Sequence, residues 1–561
     1  VREDLAATAR EWIAGDPDPT TVAELEDLLD AGDEDAVAAR VGDALAFGTA
    51  GLRGEVGAGP NRMNRAVVIR ATRGLADHLL AGVDGAADRG VVVGFDARPD
   101  SERFAHDAIA VLHAAGIRVM AFLTPTATPI VAWAARRADA AGAVVVTASH
   151  NPPADNGYKV YDEFATQITP PRDAQIAAAI GAVGPANEVP GVGDDVAGLD
   201  IEVLGDRDVA AYLAAVADRR PALEVDTDID LVVTPMHGVG GAPIEQVLGD
   251  LGYGITRVDD QWQPDGTFPT VTFPNPEEPG ALDLAIATAT RVDATAIIAN
   301  DPDADRMAVA IPDGGRWRRM TGDEVGVVLA HHLLSTTGQG LARPLVANSI
   351  VSSARLGRVA AAFDARHEVT LTGFKWLWRA GRELVAQGWD WVMGYEEALG
   401  YSLGTLVRDK DGIGATAVMA DLLGSLALRG RTMVDLLAEL DELYGSWVNV
   451  QHSVRFEGED GPAAMLAAVD RAAAVADDAL GVRTIEHIVD HRVVVPEAPA
   501  WMPTTPLVVW HLTGGGRVLV RPSGTEPKLK LYVDVPLDAG DDAAVGSALA
   551  SAGFAAIGVT T

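Results

Sequence analysis

GAVVVTASHNPPADNGYKVY, residues 142–161, carries the reading on which the architecture rests. A valine-rich run of strand length ends at Thr147-Ala148-Ser149-His150-Asn151-Pro152-Pro153. This is the pattern of a buried strand that delivers Ser149 into a loop stiffened by two prolines. In open α/β folds, ligand sites lie at the C-terminal ends of such strands. Without a G-x-S-x-G elbow, ordinary acyl-transfer chemistry is disfavoured. A serine hydroxyl in this position can hold a phosphoryl group as a fairly inert ester, or can simply cap the strand. NGYKVY is expected to turn into a following strand and to project the Lys159 ammonium near the Ser149 loop.

Upstream, VVVGFDAR (91–98) reads as a second buried strand, with the helical SERFAHDAIAVLHAAG (101–116) between the two. The first 45 residues have helical patterning and lead into FGTAGLRGEVGAGP (47–60), where glycines permit tight turns and Arg53 can approach an anion. GAVGPANEVPGVGDDVAG (181–198) reads as a linker or surface loop. Downstream, DIDLVVTP (228–235) and ATAIIAN (294–300) are the strands of a second α/β unit, and a third begins near Thr321. The glycine-rich MHGVGG (236–241) makes His237 a structural residue at a closely packed turn. Past Trp447 a smaller unit follows, in which VLVRPSGTEPKLKLYVDV (518–535) reads as strand, loop, strand. Alternating strands and helices imply α/β layers with largely parallel sheets.

Three further motifs carry chemistry. Asp301-Pro302-Asp303-Ala304-Asp305-Arg306 follows an apolar strand. Carboxylates spaced by two repel one another unless a cation neutralises them, and hard oxygen ligands suit Mg²⁺ or Ca²⁺. An EF-hand is excluded, because its glycine and glutamate positions hold Arg306 and Pro312. Arg521-Pro522-Ser523-Gly524-Thr525-Glu526-Pro527-Lys528 offers a guanidinium, two hydroxyls and N–H groups around a glycine, a phosphate cradle without nucleotide P-loop spacing. Gly394-Tyr395-Glu396-Glu397-Ala398-Leu399-Gly400 places adjacent carboxylates at a strand end, where they can accept hydrogen bonds from sugar hydroxyls.

Composition narrows the function. The chain has 561 residues, enough for roughly three to four domains. Having no cysteine, it has no disulfides and no thiol chemistry. The formal charge of −36 argues against nucleic acid or an anionic membrane as partner. No run approaches the roughly 20 apolar residues of a membrane span. VREDLAATAR at the start lacks the basic and apolar regions of a signal peptide, so a cytoplasmic location is expected.

In order, TASHNPP, DPDADR, GYEEALG and RPSGTEP resemble the phosphoserine, metal, sugar and phosphate loops of the α-D-phosphohexomutase superfamily. NRMN (61–64), EEALGY and the N-terminal extension look like its long branch, which includes glucose and pentose phosphomutases. The resemblance spans essentially the whole chain. It implies three mixed α/β domains and a smaller α+β C-terminal domain around a central cleft, expected at 1–205, 206–318, 319–445 and 446–561.

By similarity, Ser149 is the phosphorylated serine, and Asp301, Asp303 and Asp305 bind Mg²⁺ together with its phosphate. Arg53, His150 and Lys159 match positions near the transferring group. Arg306 would meet a bound phosphate. Lys375 in LTGFKW matches a substrate-contacting loop, and Glu396, with Glu397 beside it, the sugar-binding carboxylate. Arg521, Ser523, Gly524 and Thr525 match the residues that hold the non-reacting phosphate; Lys530 stands where some members place an Arg. The implied activity interconverts hexose 1- and 6-phosphates through a phosphoserine enzyme and a sugar 1,6-bisphosphate, which also serves as activator. A monomer or small homo-oligomer is expected. Ala398 departs from the Ser of many glucose and mannose members and Gly400 from the His of some bacterial ones, which leaves the sugar open; a phosphopentomutase or sugar-1,6-bisphosphate synthase on the same scaffold is the alternative. A catalytically silent phosphosugar-binding protein fits less well, because binding alone requires no nucleophile.

Overall fold

The computed structural model describes residues 1–560 except 50, 459, 477–479, 482, 524–527, 539–540 and 542–543. Two compact units divide the chain: Val1–Met320 with Gly400–Arg429, and Thr321–Leu399 with Gly430–Thr561.

The first unit opens with helices Glu3–Gly15, Pro19–Ala31 and Glu34–Val41. Asp18 and Asp33 cap the second and third by accepting the N–H groups of Thr20 and Ala36, each cap contributing about 1 kcal/mol. Leu5, Ala9, Leu25, Val37 and Val41 meet beneath them in a small apolar cluster.

The first sheet contains β1 (Leu52–Glu55), β2 (Val91–Phe95), β3 (Val119–Phe122), β4 (Gly142–Val146), β5 (Asp155–Tyr161) and β6 (Glu202–Leu204), in the order β1-β5-β4-β2-β3-β6. β2, β3 and β4 are buried along their whole length, as expected of parallel strands covered on both faces by helices. β5 runs antiparallel to β4 and β1. Lys159 therefore lies within a strand, opposite Val145, and NGY belongs to that strand rather than to a turn.

A second sheet holds β7 (Leu231–Thr234), β8 (Ile255–Arg257), β9 (Ala296–Ala299), β10 (Ala308–Asp313) and β11 (Arg316–Arg319), in the order β11-β10-β9-β7-β8. Its β7, β8 and β9 are parallel, whereas β10 is antiparallel to both its neighbours. Both sheets are thus mixed. Each antiparallel return follows immediately on the loop that ends a parallel strand, the Ser149 loop after β4 and the aspartate loop after β9.

In the second unit, β12 (Pro344–Ser349) pairs in parallel with β13 (Arg366–Thr370) and β14 (Asp390–Glu396). The chain then returns to the first unit with β15 (Gly400–Leu403) and the buried helix Gly412–Leu428, capped by Asp411 through the Gly414 N–H. A Cβ on Gly412 would stand 2.4 Å from the Arg306 carbonyl oxygen. Only glycine lets this helix start against the aspartate loop.

The C-terminal sheet is antiparallel, with β16 (Trp447–Arg455), β17 (Ile485–Asp490), β18 (Val508–Leu512), β19 (Arg517–Pro522) and β20 (Lys528–Pro536) in the order β16-β20-β19-β18-β17. Ile350, Val351, Leu507, Val509, Leu519 and Tyr532 form an apolar cluster that joins this sheet to the loop after β12.

Candidate active site

Ser149 sits in the left-handed region at φ +52°. For a residue with a Cβ this costs on the order of 1–3 kcal/mol and persists only where neighbours over-determine it. Here they do. The Ser149 N–H donates to Thr147 Oγ1 at 2.8 Å, and Thr147 Oγ1 donates to Asp96 Oδ2 at 2.6 Å. The buried Arg98 guanidinium donates to four loop carbonyls: Ser149 (2.8 Å), Asn151 (2.6 Å), Pro152 (2.7 Å) and Asp155 (2.8 Å). Asp96, 3.3 Å from Arg98 Nε, supplies the opposite charge.

The strained turn aims the Ser149 hydroxyl at the second sheet, where its Oγ donates to Asp301 Oδ2 at 2.8 Å. Asp301, Asp303 and Asp305 are each fully buried, and one ligand atom from each lies within 4.8 Å of the others. Lys159 Nζ donates to Asp303 Oδ2 (2.6 Å) and Asp305 Oδ2 (2.8 Å), and Thr128 Oγ1 to Asp303 Oδ2 (2.6 Å). A second ammonium, Lys410 Nζ, stands 3.2 Å from Asp305 Oδ2 and 3.1 Å from the buried Asp409, which also accepts from Tyr161 and Gln167.

Burial, then the charges of Asp303 and Asp305, push Asp301 well above the usual carboxylate range. Burial raises Asp303 too, but Lys159 and the hydrogen bonds outweigh it and hold that carboxyl below its ordinary value. For Lys159, burial is likewise outweighed by the two aspartates, and the ammonium stays charged.

The donor set fits a hard divalent cation. Among the described residues, Asp303 Oδ1 and Asp305 Oδ1 are buried without a hydrogen-bond partner. Such atoms are costly to bury, and coordination is the usual resolution. The backbone closes tightly around them: the Ala304 N–H donates to the Asp301 carbonyl, the Thr128 N–H to that of Asp303, and the Val239 N–H to that of Pro302. A Cβ on Gly238 would lie 2.5 Å from Pro302. His237, in the same MHGVGG turn, hydrogen-bonds Thr270 at 2.8 Å.

Other sequence-predicted residues join Ser149 in this unit. His150 Nδ1 is 3.2 Å from Ser149 Oγ. Burial, then the Arg306 and Arg53 guanidiniums, push its imidazole well below the ordinary range, so it is neutral near pH 7. Arg53, on β1, donates to Asn151 Oδ1 at 3.2 Å. The Arg306 N–H donates to Asp301 Oδ1 at 3.0 Å, and its Nε lies 3.8 Å from Asp305 Oδ1.

The second unit carries the remaining candidates. Glu396 Oε1 accepts the Gly373 N–H. Glu397 Oε2 accepts Ser352 Oγ (3.0 Å) and Ser349 Oγ (3.3 Å). Lys375 lies in the first turn of the helix Phe374–Ala386, its Nζ 6.0 Å from the Trp376 ring centre. Arg521 and Lys530 face each other across β19 and β20, and the Ser523 N–H closes the hairpin onto the Lys528 carbonyl at 2.7 Å. Gly524 and Thr525 lie outside the described residues. Burial, then the negative charge of Glu397, pushes the Tyr532 phenol up while Arg521 draws it down. Glu397, Glu396 and Arg521 thus act on one buried side chain.

Models of the phosphoglucomutase/phosphomannomutase family cover most of the chain. Alpha/beta/alpha domains I, II and III match residues 44–185, 210–314 and 321–444, and the C-terminal domain matches 454–550. A Haemophilus influenzae protein named "Probable phosphomannomutase" is 40% identical over 481 residues, covering 84% of this chain and 93% of its own. This chain belongs to the phosphoglucomutase/phosphomannomutase family. A Schizosaccharomyces pombe family relative, "Probable phosphoribomutase", is 37% identical over 551 residues, 93% of this chain and 92% of its own. The fold is shared with a crystal structure of a phosphoglucomutase/phosphomannomutase family protein from Burkholderia thailandensis. That structure is 20% identical, with a TM-score of 0.68 over 92% of this chain and 98% of the other.

Arg98, Thr128, Asp409 and Lys410 escaped the sequence reading. Arg98 lies in the loop after β2 and Thr128 opens the helix Thr128–Arg137, and nothing local marks either. Arg408-Asp409-Lys410-Asp411 is a dense charge run directly before an apolar helix, and that juxtaposition was the available signal.

Proposed function

We propose that this chain is a Mg²⁺-dependent phosphosugar mutase that interconverts hexose 1-phosphate and hexose 6-phosphate, with glucose or mannose as the hexose and Ser149 as the phosphoryl carrier. The observation that carries this reading is the strained Ser149 hydroxyl, 2.8 Å from the first of three buried aspartates. A binding protein has no need of such a nucleophile.

In the proposed reaction, a hydroxyl oxygen of the sugar monophosphate forms a bond to the phosphorus carried on Ser149 as the bond from phosphorus to Ser149 Oγ breaks. The hydroxyl proton leaves to a base, and the neutral His150 imidazole beside Ser149 is placed to accept one. The resulting bisphosphate then returns its other phosphoryl group to Ser149. Asp301, Asp303 and Asp305 would hold Mg²⁺, which when bound supplies positive charge to the phosphoryl oxygens. Arg53, Arg306 and Lys159 add cationic charge around the same group, and positioning plus charge is most of what phosphoryl transfer requires. Glu396, Glu397 and Lys375 would read the sugar; Arg521, Ser523, Gly524, Thr525 and Lys530 would hold the phosphate that is not reacting. We place the four domains at 1–205, 206–318, 319–445 and 446–561, with a cytoplasmic monomer or small homo-oligomer as the working state and the sugar 1,6-bisphosphate as activator.

A pentose substrate is the second reading, favoured by Ala398 and Gly400 and by the phosphoribomutase name of the S. pombe relative. Coupled assays with glucose, mannose and ribose 1-phosphates, each with its bisphosphate, separate the two. Absence of turnover on all three would overturn the mutase assignment.

A further inference from the structure

The second unit contains a buried polar chain running from the phosphate hairpin to the sugar loop. Arg517 and Asp534 are cross-strand partners on β19 and β20, in the hairpin that presents Arg521 and Ser523. Arg517 Nε donates to Asp534 Oδ2 at 3.1 Å, and Arg517 Nη2 to the Ser352 carbonyl at 2.7 Å. Asp534 also accepts Ser353 Oγ (2.9 Å), the Ala354 N–H (2.8 Å) and Trp447 Nε1. The turn at 352–354 is therefore tied to the hairpin by its backbone and by one of its side chains. Ser352 in turn holds the sugar loop by two bonds: its Oγ accepts the Glu397 N–H at 3.0 Å and donates to Glu397 Oε2 at 3.0 Å. Ser349 Oγ, 2.7 Å from Ser352 Oγ, completes the cluster.

Ser349, Ser352 and Asp534 are fully buried. A buried network with every member satisfied has one low-energy arrangement. One carboxylate oxygen of Glu397 is thereby locked, while Oε1 accepts no hydrogen bond among the described residues.

We propose that Ser352 is a positioning residue for Glu397, registered by the Arg517–Asp534 pair, so that the phosphate hairpin sets the direction in which Glu397 meets the sugar. This rests on the assignment of the Glu396–Glu397 loop to the sugar. No part of the chain touches a reacting atom; its effect is on sugar affinity and selectivity.

The test uses the full-length enzyme with glucose, mannose and ribose 1-phosphates. Ser352→Ala should raise KM for the preferred sugar about tenfold, as loss of one hydrogen bond to a charged group implies, and should compress the preference between epimers. Ser352→Thr, which keeps the hydroxyl, should restore both. Slow hydrolysis of the Ser149 phosphoryl ester by water should be unchanged. In a Glu397→Gln background, Ser352→Ala should add no more than about twofold, because groups acting through one another are not additive. Arg517→Lys should shift KM in the same direction as Ser352→Ala. Equal losses in both backgrounds would overturn the proposal, as would a loss confined to kcat or to melting temperature. If Ser352 behaves as expected with Glu397 but the wild type prefers ribose 1-phosphate, the coupling stands and the hexose reading falls.

Discussion

Lys159 Nζ lies 2.6 Å from Asp303 Oδ2 and 2.8 Å from Asp305 Oδ2, so one strand of the first sheet supplies the counter-charge for a loop of the second. Removing one partner of a buried pair leaves the other uncompensated, at a cost of about 3–5 kcal/mol. Lys159→Met should therefore lower the melting temperature of the metal-free protein by several degrees. Millimolar Mg²⁺ should recover part of the loss, because the cation compensates the same carboxylates. Thermal unfolding with and without Mg²⁺ reads this out; an unchanged melting temperature would remove Lys159 from the site.

Chelation provides a second test. EDTA should silence turnover and Mg²⁺ restore it, and saturating Mg²⁺ should raise the melting temperature, since binding at about 100 times Kd stabilises by about 2.7 kcal/mol. Asp303→Asn should abolish that Mg²⁺-dependent shift. If the shift persists in the variant, the cation sits elsewhere.

Arg98 is buried and holds the carbonyls of Ser149, Asn151, Pro152 and Asp155. Lysine keeps the charge but cannot reproduce the planar fork. Arg98→Lys should lower kcat by about a hundredfold through misplacement of the hydroxyl while KM stays within a few-fold. Steady-state kinetics distinguishes this from a binding role, in which KM would move instead.

Asp323 offers a pH test in the second unit. It accepts the Ser353 N–H at 2.6 Å and the Tyr395 hydroxyl at 2.8 Å. Burial, outweighing the Ser353 bond and helped by Asp534 and Glu397, pushes it up to about 8. A carboxyl raised in the folded state keeps its proton there up to that pH, whereas the unfolded chain releases it near its ordinary value of 3.8. The unfolded state thus binds fewer protons between these limits, and stability falls as pH rises from about 4 to 8. Asp323→Asn should remove this slope, gaining on the wild type by up to roughly tenfold in the unfolding equilibrium per pH unit. Parallel melting curves from pH 5 to 8 would contradict the shift.

The proposed phosphate-holding role of Arg521 is testable in the same way. Arg521→Ala should raise KM for the sugar phosphate by about tenfold or more, as expected for loss of a charge-assisted bond, with a smaller change in kcat. A change confined to kcat would contradict the cradle assignment.

Much of the candidate chemistry was legible because each group is contiguous. In the first unit Ser149 and the three aspartates, and in the second Glu396–Glu397 and Arg521–Ser523, lie at or just past strand ends, where glycine, proline and charge follow apolar runs, so local pattern marks both the element and the candidate chemistry. NGYKVY reads as a turn into a strand; the strand is there, but Asn156 and Gly157, common turn residues, belong to it as well, because pairing with Leu52–Glu55 on one side and Ala143–Val146 on the other draws them into β5. The mixed sheets were hidden for the same reason, since a strand's direction is a property of its neighbours.

By itself, then, the sequence determined the alternation of strands and helices, the order of the four motifs and the chemical type of each loop. All of these depend on periodicity and residue type within about ten positions. Tertiary structure alone decided that Ser149 donates to Asp301, that Lys159 and Lys410 both approach Asp305, that Arg98 splints the serine loop, and that Arg517 donates to the Ser352 carbonyl while Asp534 accepts from Ser353 and Ala354. Those pairings join residues far apart in the chain. What selects them is the burial of polar groups that must find partners wherever the packed backbone brings one within reach.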